Sequence, residues 1–136
     1  MKAEIRYQSI SGNTEAVALA MGKVLGIPAK SVEEPIANDV GLVFLGGGIY
    51  ASGLGGRLKH FVSHLTAGNP ATVVCFSTSM NKGDISFRVK PLLEKKGITL
   101  HPTELNISET LIKPYKPDVS KQVYDMITNF VADIKV

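Results

Sequence analysis

Ser9, Ser11, Asn13 and Thr14 crowd hydroxyl and amide groups around Gly12 within six residues. Before them runs an apolar alternation, Ala3, Ile5 and Tyr7; behind them a helical pattern starts at Ala16. A strand, a short loop and a helix start in that order make an anion site. The first N–H groups of a helix have no intrahelical partner, and the helix dipole favours negative charge there. The side chains add donors at the same point, so the chemistry expected is phosphate binding. No lysine lies in the loop, which suits a phosphate held as an anchor rather than transferred.

The elements that position this loop follow from periodicity. Residues 2–8 read as a strand. Ala16, Val17, Leu19, Ala20, Val24 and Leu25 recur at helical spacing, and Gly26 with Pro28 ends that helix. Residues 29–33 make a short strand. Val40 to Leu45 is a nearly continuous apolar run ending in three glycines, as in a strand buried on both faces. Leu54, Leu58, Phe61, Val62 and Leu65 line a second helix. Thr72 to Phe76 is another buried strand, followed by Ser77-Thr78-Ser79. Ile85, Val89, Leu92 and Leu93 mark a third helix closed by Gly97. Ile98 to Ile107 holds a fifth strand, bent near Pro102, and a last helix after Pro117 buries Val119, Val123, Met126, Ile127, Phe130, Val131 and Ile134.

Strand and helix alternate five times in 136 residues, which predicts one α/β domain over 1–136. Its parallel sheet carries helices on both faces as a three-layer sandwich. Ligands of such sheets bind beyond the carboxyl ends of the strands, where the strand order reverses. Three loops rich in small or hydroxyl residues fall at such ends: Ser9 to Thr14, Gly46 to Gly53, and Ser77 to Gly83. In a 2-1-3-4-5 order they are neighbours. Together they suit a planar cofactor with a phosphate tail.

Composition narrows the classes. Apolar residues make up 44% and charged residues 20%, an ordinary globular balance. No apolar run approaches the roughly 20 residues of a membrane span, no signal-peptide stretch opens the sequence, and the single Cys75 excludes an internal disulfide framework. A cytoplasmic protein is expected. The net charge of +3 is spread along the chain, unlike the dense basic stripe of a nucleic-acid binder. Absent motifs exclude other folds of this shape. A phospho-receiver needs an aspartate where Leu45-Gly46 stands, a low-molecular-weight phosphatase needs a cysteine in the first loop, and a P-loop NTPase needs Gly-Lys-Ser/Thr.

The sequence resembles the flavodoxin family. Ser9-Ile10-Ser11-Gly12-Asn13-Thr14 matches that family's (Thr/Ser)-x-(Thr/Ser)-Gly-x-Thr phosphate loop, at its place between first strand and first helix. Gly46-Gly47-Gly48-Ile49-Tyr50 resembles the second loop of flavodoxins and related quinone reductases, and Gly83-Asp84 the close of the third. The resemblance spans essentially the whole chain and implies non-covalent FMN. Ser9, Ile10, Ser11, Gly12, Asn13 and Thr14 would hold its phosphate. Gly48, Ile49, Tyr50, Ala51 and Ser52, with Thr78, Ser79, Met80, Asn81 and Lys82, would clasp the isoalloxazine ring, with Tyr50 placed to stack on it.

Two features depart from the family. Residues 77–84 contain no aromatic where many flavodoxins carry one on the flavin face, leaving Met80 as a polarizable substitute. The chain is also basic, with pI ≈ 9.0, and Arg57, Lys82 and Arg88 are expected near the loop edge. Positive surroundings favour the anionic reduced flavin, so a less negative potential and acidic redox partners are expected.

Three functions follow. The first is an electron carrier, monomeric or weakly dimeric, docking with a reductase and an acceptor. The second is a small FMN-dependent NAD(P)H or quinone-type oxidoreductase, favoured by the Gly-Gly-Gly-Ile-Tyr loop. The third is an interaction protein that has lost flavin. Remaining residues have plainer readings. Cys75 is core. His60 and His64 have metal-compatible spacing but no evident third ligand. His101 supports no assignment, and Lys90, Lys95 and Lys96 form a wet helix face.

Overall fold

The computed structural model describes residues 2–50, 53–79 and 85–134, with Tyr50 described by its backbone alone. Among the described residues, seven strands and four α-helices occur in the order β1 (Ala3–Tyr7), α1 (Asn13–Leu25), β2 (Ala29–Ser31), β3 (Leu42–Gly47), β4 (Ile49–Tyr50), β5 (Gly53–Leu54), α2 (Gly56–Ser63), β6 (Thr72–Thr78), α3 (Ser86–Glu94), β7 (Thr99–Ile107) and α4 (Lys121–Ile134). Two 3₁₀ turns, Glu109–Leu111 and Lys113–Tyr115, link β7 to α4. Five strands form one parallel sheet in the order β2-β1-β3-β6-β7. With the short β4–β5 pair set aside, this is the expected 2-1-3-4-5 order.

Alternate side chains of the inner strands enter two separate cores. Leu42, Phe44, Val74 and Phe76 pack with α1 and α4 on one face. Val43, Leu45, Val73 and Cys75 pack with α2 and α3 on the other. Every residue of β3 is buried, which is why its run is apolar throughout. Gly46 is small for a packing reason: a Cβ there would lie 2.2 Å from the ring of Phe76, its register partner on β6. The glycines that read as a loop thus partly belong to β3.

The edge strand β7 is more exposed. Between the pairs Val73↔Leu100 and Cys75↔Glu104, one β6 residue faces three of β7, so His101–Thr103 bulge. An edge bulge tolerates the missing N–H of Pro102, and the Thr103 N–H donates to His101 Nδ1 at 3.0 Å.

Two expectations change, and one buried charge had no sign in the periodicity. Arg6 on β1 is buried, donating to the carbonyls of Glu34 (2.8 Å) and Pro35 (2.7 Å) and to Glu4 Oε1 (2.7 Å). β1 lies between β2 and β3 with helices on both faces, so its polar side chain must be satisfied internally. Leu19 is exposed, and Ala18 and Met21 take the buried positions on α1. The segment after Gly48 pairs as a hairpin, Ile49 with Leu54 and Tyr50 with Gly53, rather than remaining open loop.

Candidate functional site

The loop after β1 is organised by Ser9. Its Oγ accepts the N–H groups of Gly12 at 3.1 Å and Glu15 at 3.2 Å. Gly12 precedes α1 with φ 93°, a left-handed conformation that glycine adopts without strain. The first internal bond of the helix runs from Ala16 N–H to Gly12 O. The N–H groups of Ser11, Asn13 and Thr14 therefore have no partner among the described residues. Asn13 and Thr14 are buried, and Asn13 Oδ1 is a buried acceptor with no partner among the described residues. Unpaired N–H groups and hydroxyls suit a phosphate; an orphaned amide oxygen suits a hydroxyl of a polyol chain attached to it.

Two contacts join this loop to its neighbours. Thr14 Oγ1 and Thr78 Oγ1 are 2.7 Å apart in the interior, joining the start of α1 to the last residue of β6. Gln8, buried just before the loop, donates its N–H to Gly46 O at 3.0 Å and accepts the Leu58 N–H on Oε1 at 2.8 Å. The amide so caps α2, whose N-cap Gly55 has no side chain. A Cβ on Gly55 would lie 2.2 Å from the Gln8 amide. Only glycine leaves that space.

Charge reaches the loop from afar. Lys116, between the second 3₁₀ turn and α4, donates from Nζ to Ser11 O at 2.8 Å, and its stem lies beside Gly12. Arg57 approaches Ser9 O at 3.5 Å while paired with Glu33 at 2.6 Å. The Ser31 hydroxyl first, then Arg57, hold the Glu33 carboxyl below its ordinary value. Glu109 takes a long bond (3.4 Å) from Asn13 Nδ2 and pairs with Lys113 at 3.1 Å. Tyr7 donates to Glu15 Oε2 at 2.8 Å. Burial, then that bond and the charge of Glu15, push its phenol up to about 12.

Of the expected site, Ser9, Ile10, Ser11, Gly12, Asn13 and Thr14 form one loop, with Ile10 turned to solvent. Gly48, Ile49 and the backbone of Tyr50 follow β3, and Thr78 and Ser79 close β6. These three groups stand at the carboxyl ends of adjacent strands. Ala51, Ser52, Met80, Asn81 and Lys82 lie outside the described residues, as does the side chain of Tyr50. Arg88 lies against Gly53, its Nη1 3.1 Å from where a Cβ would stand. Sequence reasoning missed Gln8 and Lys116. Gly55 marks the space Gln8 needs, but nothing near Lys116 points to a loop 105 residues away. Cys75 is buried. His60 and His64 have ring centroids 4.0 Å apart, and among the described residues no group of three or more His, Cys, Asp or Glu could hold a metal.

Solved structures share this fold. Oxidised flavodoxin 2 of Bacillus cereus matches at 18% identity and TM-score 0.69, covering 97% of this chain and 96% of that one. The fold is that of a flavodoxin. Two-electron reduced Megasphaera elsdenii flavodoxin matches at 20% identity and TM-score 0.60, over 96% of this chain and 98% of that one. An NADH:FMN oxidoreductase in its apo form matches at 12% and 0.68, over 98% and 88%. No protein-family model matches the sequence, and no curated protein is matched by it. Likeness at these identities is a likeness of fold alone. No helix among the described residues is long and apolar enough to cross a membrane.

Proposed function

We propose that the chain binds FMN without a covalent bond and carries electrons between a reductase and an acceptor protein. The observation that carries this reading is the first loop, where the unpaired N–H groups of Asn13 and Thr14 meet the hydroxyls of Ser11 and Thr14 at a helix start. The same loop offers Asn13 Oδ1 for a ribityl hydroxyl. Flavodoxins among the similar structures support the choice of FMN over other phosphate ligands.

When bound, FMN supplies the redox chemistry. The chain's own residues bind and orient it. Gly12 lets the loop curl around the phosphate, Ser9 holds the curl, and Thr78 with Gln8 sets the spacing to the neighbouring loops. Gly48 to Ser52 and Thr78 to Lys82 would clasp the ring, with Tyr50 stacking on it. No side chain is assigned acid–base work. The basic surface favours a less negative potential for the reduced flavin than acidic flavodoxins have, and acidic partners.

A second reading, an FMN-dependent reductase with turnover of its own, is favoured by the Gly46 to Tyr50 sequence and by the likeness to the NADH:FMN oxidoreductase. Desalting after incubation with FMN tests the cofactor, and steady NADH or NADPH oxidation by the loaded protein alone separates the readings. Retained colour without turnover supports the carrier; retained colour with turnover overturns it in favour of the reductase.

A further inference from the structure

Helices α2 and α3 leave an open groove of about 1030 Å³ between them. Leu54, Val62 and Leu92 give it an apolar floor, and at its wall Phe87 is 81% exposed. The rim is cationic. Lys59 on α2 and Arg88 and Lys95 on or just after α3 have no carboxylate partner among the described residues. Lys90 pairs only loosely with Glu94, at 3.9 Å, and Lys96 is committed to the carbonyls of Ser63 and Leu65. Among the described residues, five cations and one carboxylate thus line one groove of a chain whose whole formal charge is +3.

We propose that this groove is the docking surface for an acidic amphipathic helix of a partner protein. Such a helix would lay its apolar face on Leu54, Val62, Leu92 and Phe87 and set carboxylates against Lys59, Arg88 and Lys95. Charge complementarity selects the occupant: a basic segment would meet like charge along the rim. One end of the groove touches the β4–β5 hairpin, because Arg88 lies against Gly53. A partner seated there stands at the edge of the loops proposed to clasp the flavin ring. That the partner exchanges electrons rests on the carrier reading; the groove's preference for an acidic helix does not.

The probe is a synthetic helical peptide with leucines on one face and glutamates on the other, and its lysine-for-glutamate twin. Each is titrated into the full-length ¹⁵N-labelled protein, with and without FMN. The expected result is saturable shift changes confined to α2, α3 and the β4–β5 hairpin for the acidic peptide alone, weakening with salt. The paired reversal K59E/K95E should weaken binding by about tenfold or more, and F87A should weaken it at unchanged salt dependence. Both variants alter exposed residues, and their amide spectra report that the fold is kept. Shifts scattered over other basic positions, equal binding of the lysine peptide, or indifference to both variants would overturn the proposal. So would dodecanoate saturating these resonances where the peptide does not, which would make the groove a small-molecule site. Docking by protein that fails to retain FMN upholds the groove and removes the flavin reading; retained FMN without docking does the reverse.

Discussion

The hydroxyls of Thr14 and Thr78 meet at 2.7 Å although 64 residues separate them in the chain. One opens α1 beside the phosphate loop, and the other ends β6 where the third loop begins. Both are buried, so the bond acts as a brace between the start of α1 and the end of β6. Thr78→Val keeps the shape and strands the Thr14 hydroxyl. It should cost about 1–2 kcal/mol of stability, and the Thr14→Val, Thr78→Val pair less than the sum of the singles. Denaturant melts of the four proteins check this.

Two glycines should fail for different reasons. At Gly12 the space is open, the nearest atom to an added Cβ being Lys116 Cδ at 3.8 Å, but φ is 93°. Gly12→Ala should therefore cost about 1–3 kcal/mol of backbone strain and weaken flavin binding by distorting the loop. At Gly46 the backbone is ordinary and the Phe76 ring is the obstacle, at 2.2 Å. Gly46→Ala should cost about 1–3 kcal/mol through overpacking, and trimming Phe76 to Leu should restore part of it. Gly12→Ala has no such rescue.

Lys116 supplies the loop with the positive charge that its own residues lack. Lys116→Gln should weaken FMN by about threefold to tenfold, as expected for one partly exposed charge on a phosphate, and flatten the salt dependence of binding. Riboflavin, without the phosphate, should bind the variant and the parent alike. Fluorescence titrations with both flavins make the comparison.

Tyr7 carries a sign-definite pH effect. Its phenol is pushed from 10.0 up to about 12 in the folded chain, so the folded state holds the proton more tightly than the unfolded state. The stability this contributes is fully present below pH 10 and is lost as pH rises toward 12. Tyr7→Phe gives up the Glu15 bond, so it should start less stable than the parent at neutral pH and lose less further stability across that interval. Urea midpoints at stepped pH read the difference.

The sheet was legible because its inner strands announce themselves: Val40 to Leu45 and Thr72 to Phe76 are buried on both faces and carry little else. The turn after β1 was legible because Gly12 and the Ser9 hydroxyl that accepts its N–H lie within a few residues of one another. What escaped depends on contacts remote in sequence. Nothing in the pattern of β1 marks Arg6 as buried; the carbonyls of Glu34 and Pro35 that receive it lie 28 and 29 residues on. Gln8 becomes a helix cap only when α2 starts beside β1. Lys116 meets Ser11 through the path of the β7–α4 connection, which no periodicity encodes. The β4–β5 hairpin has too few residues for alternation to register.

Parallel fluorescence titrations of the chain with FMN and riboflavin test most directly whether it holds a flavin by its phosphate. Quenching of one FMN per chain is expected, with riboflavin bound on the order of 100-fold more weakly, since several charge-assisted hydrogen bonds are lost with the phosphate. Equal affinity for the two flavins would contradict the phosphate site, and no quenching by either would contradict the flavin altogether.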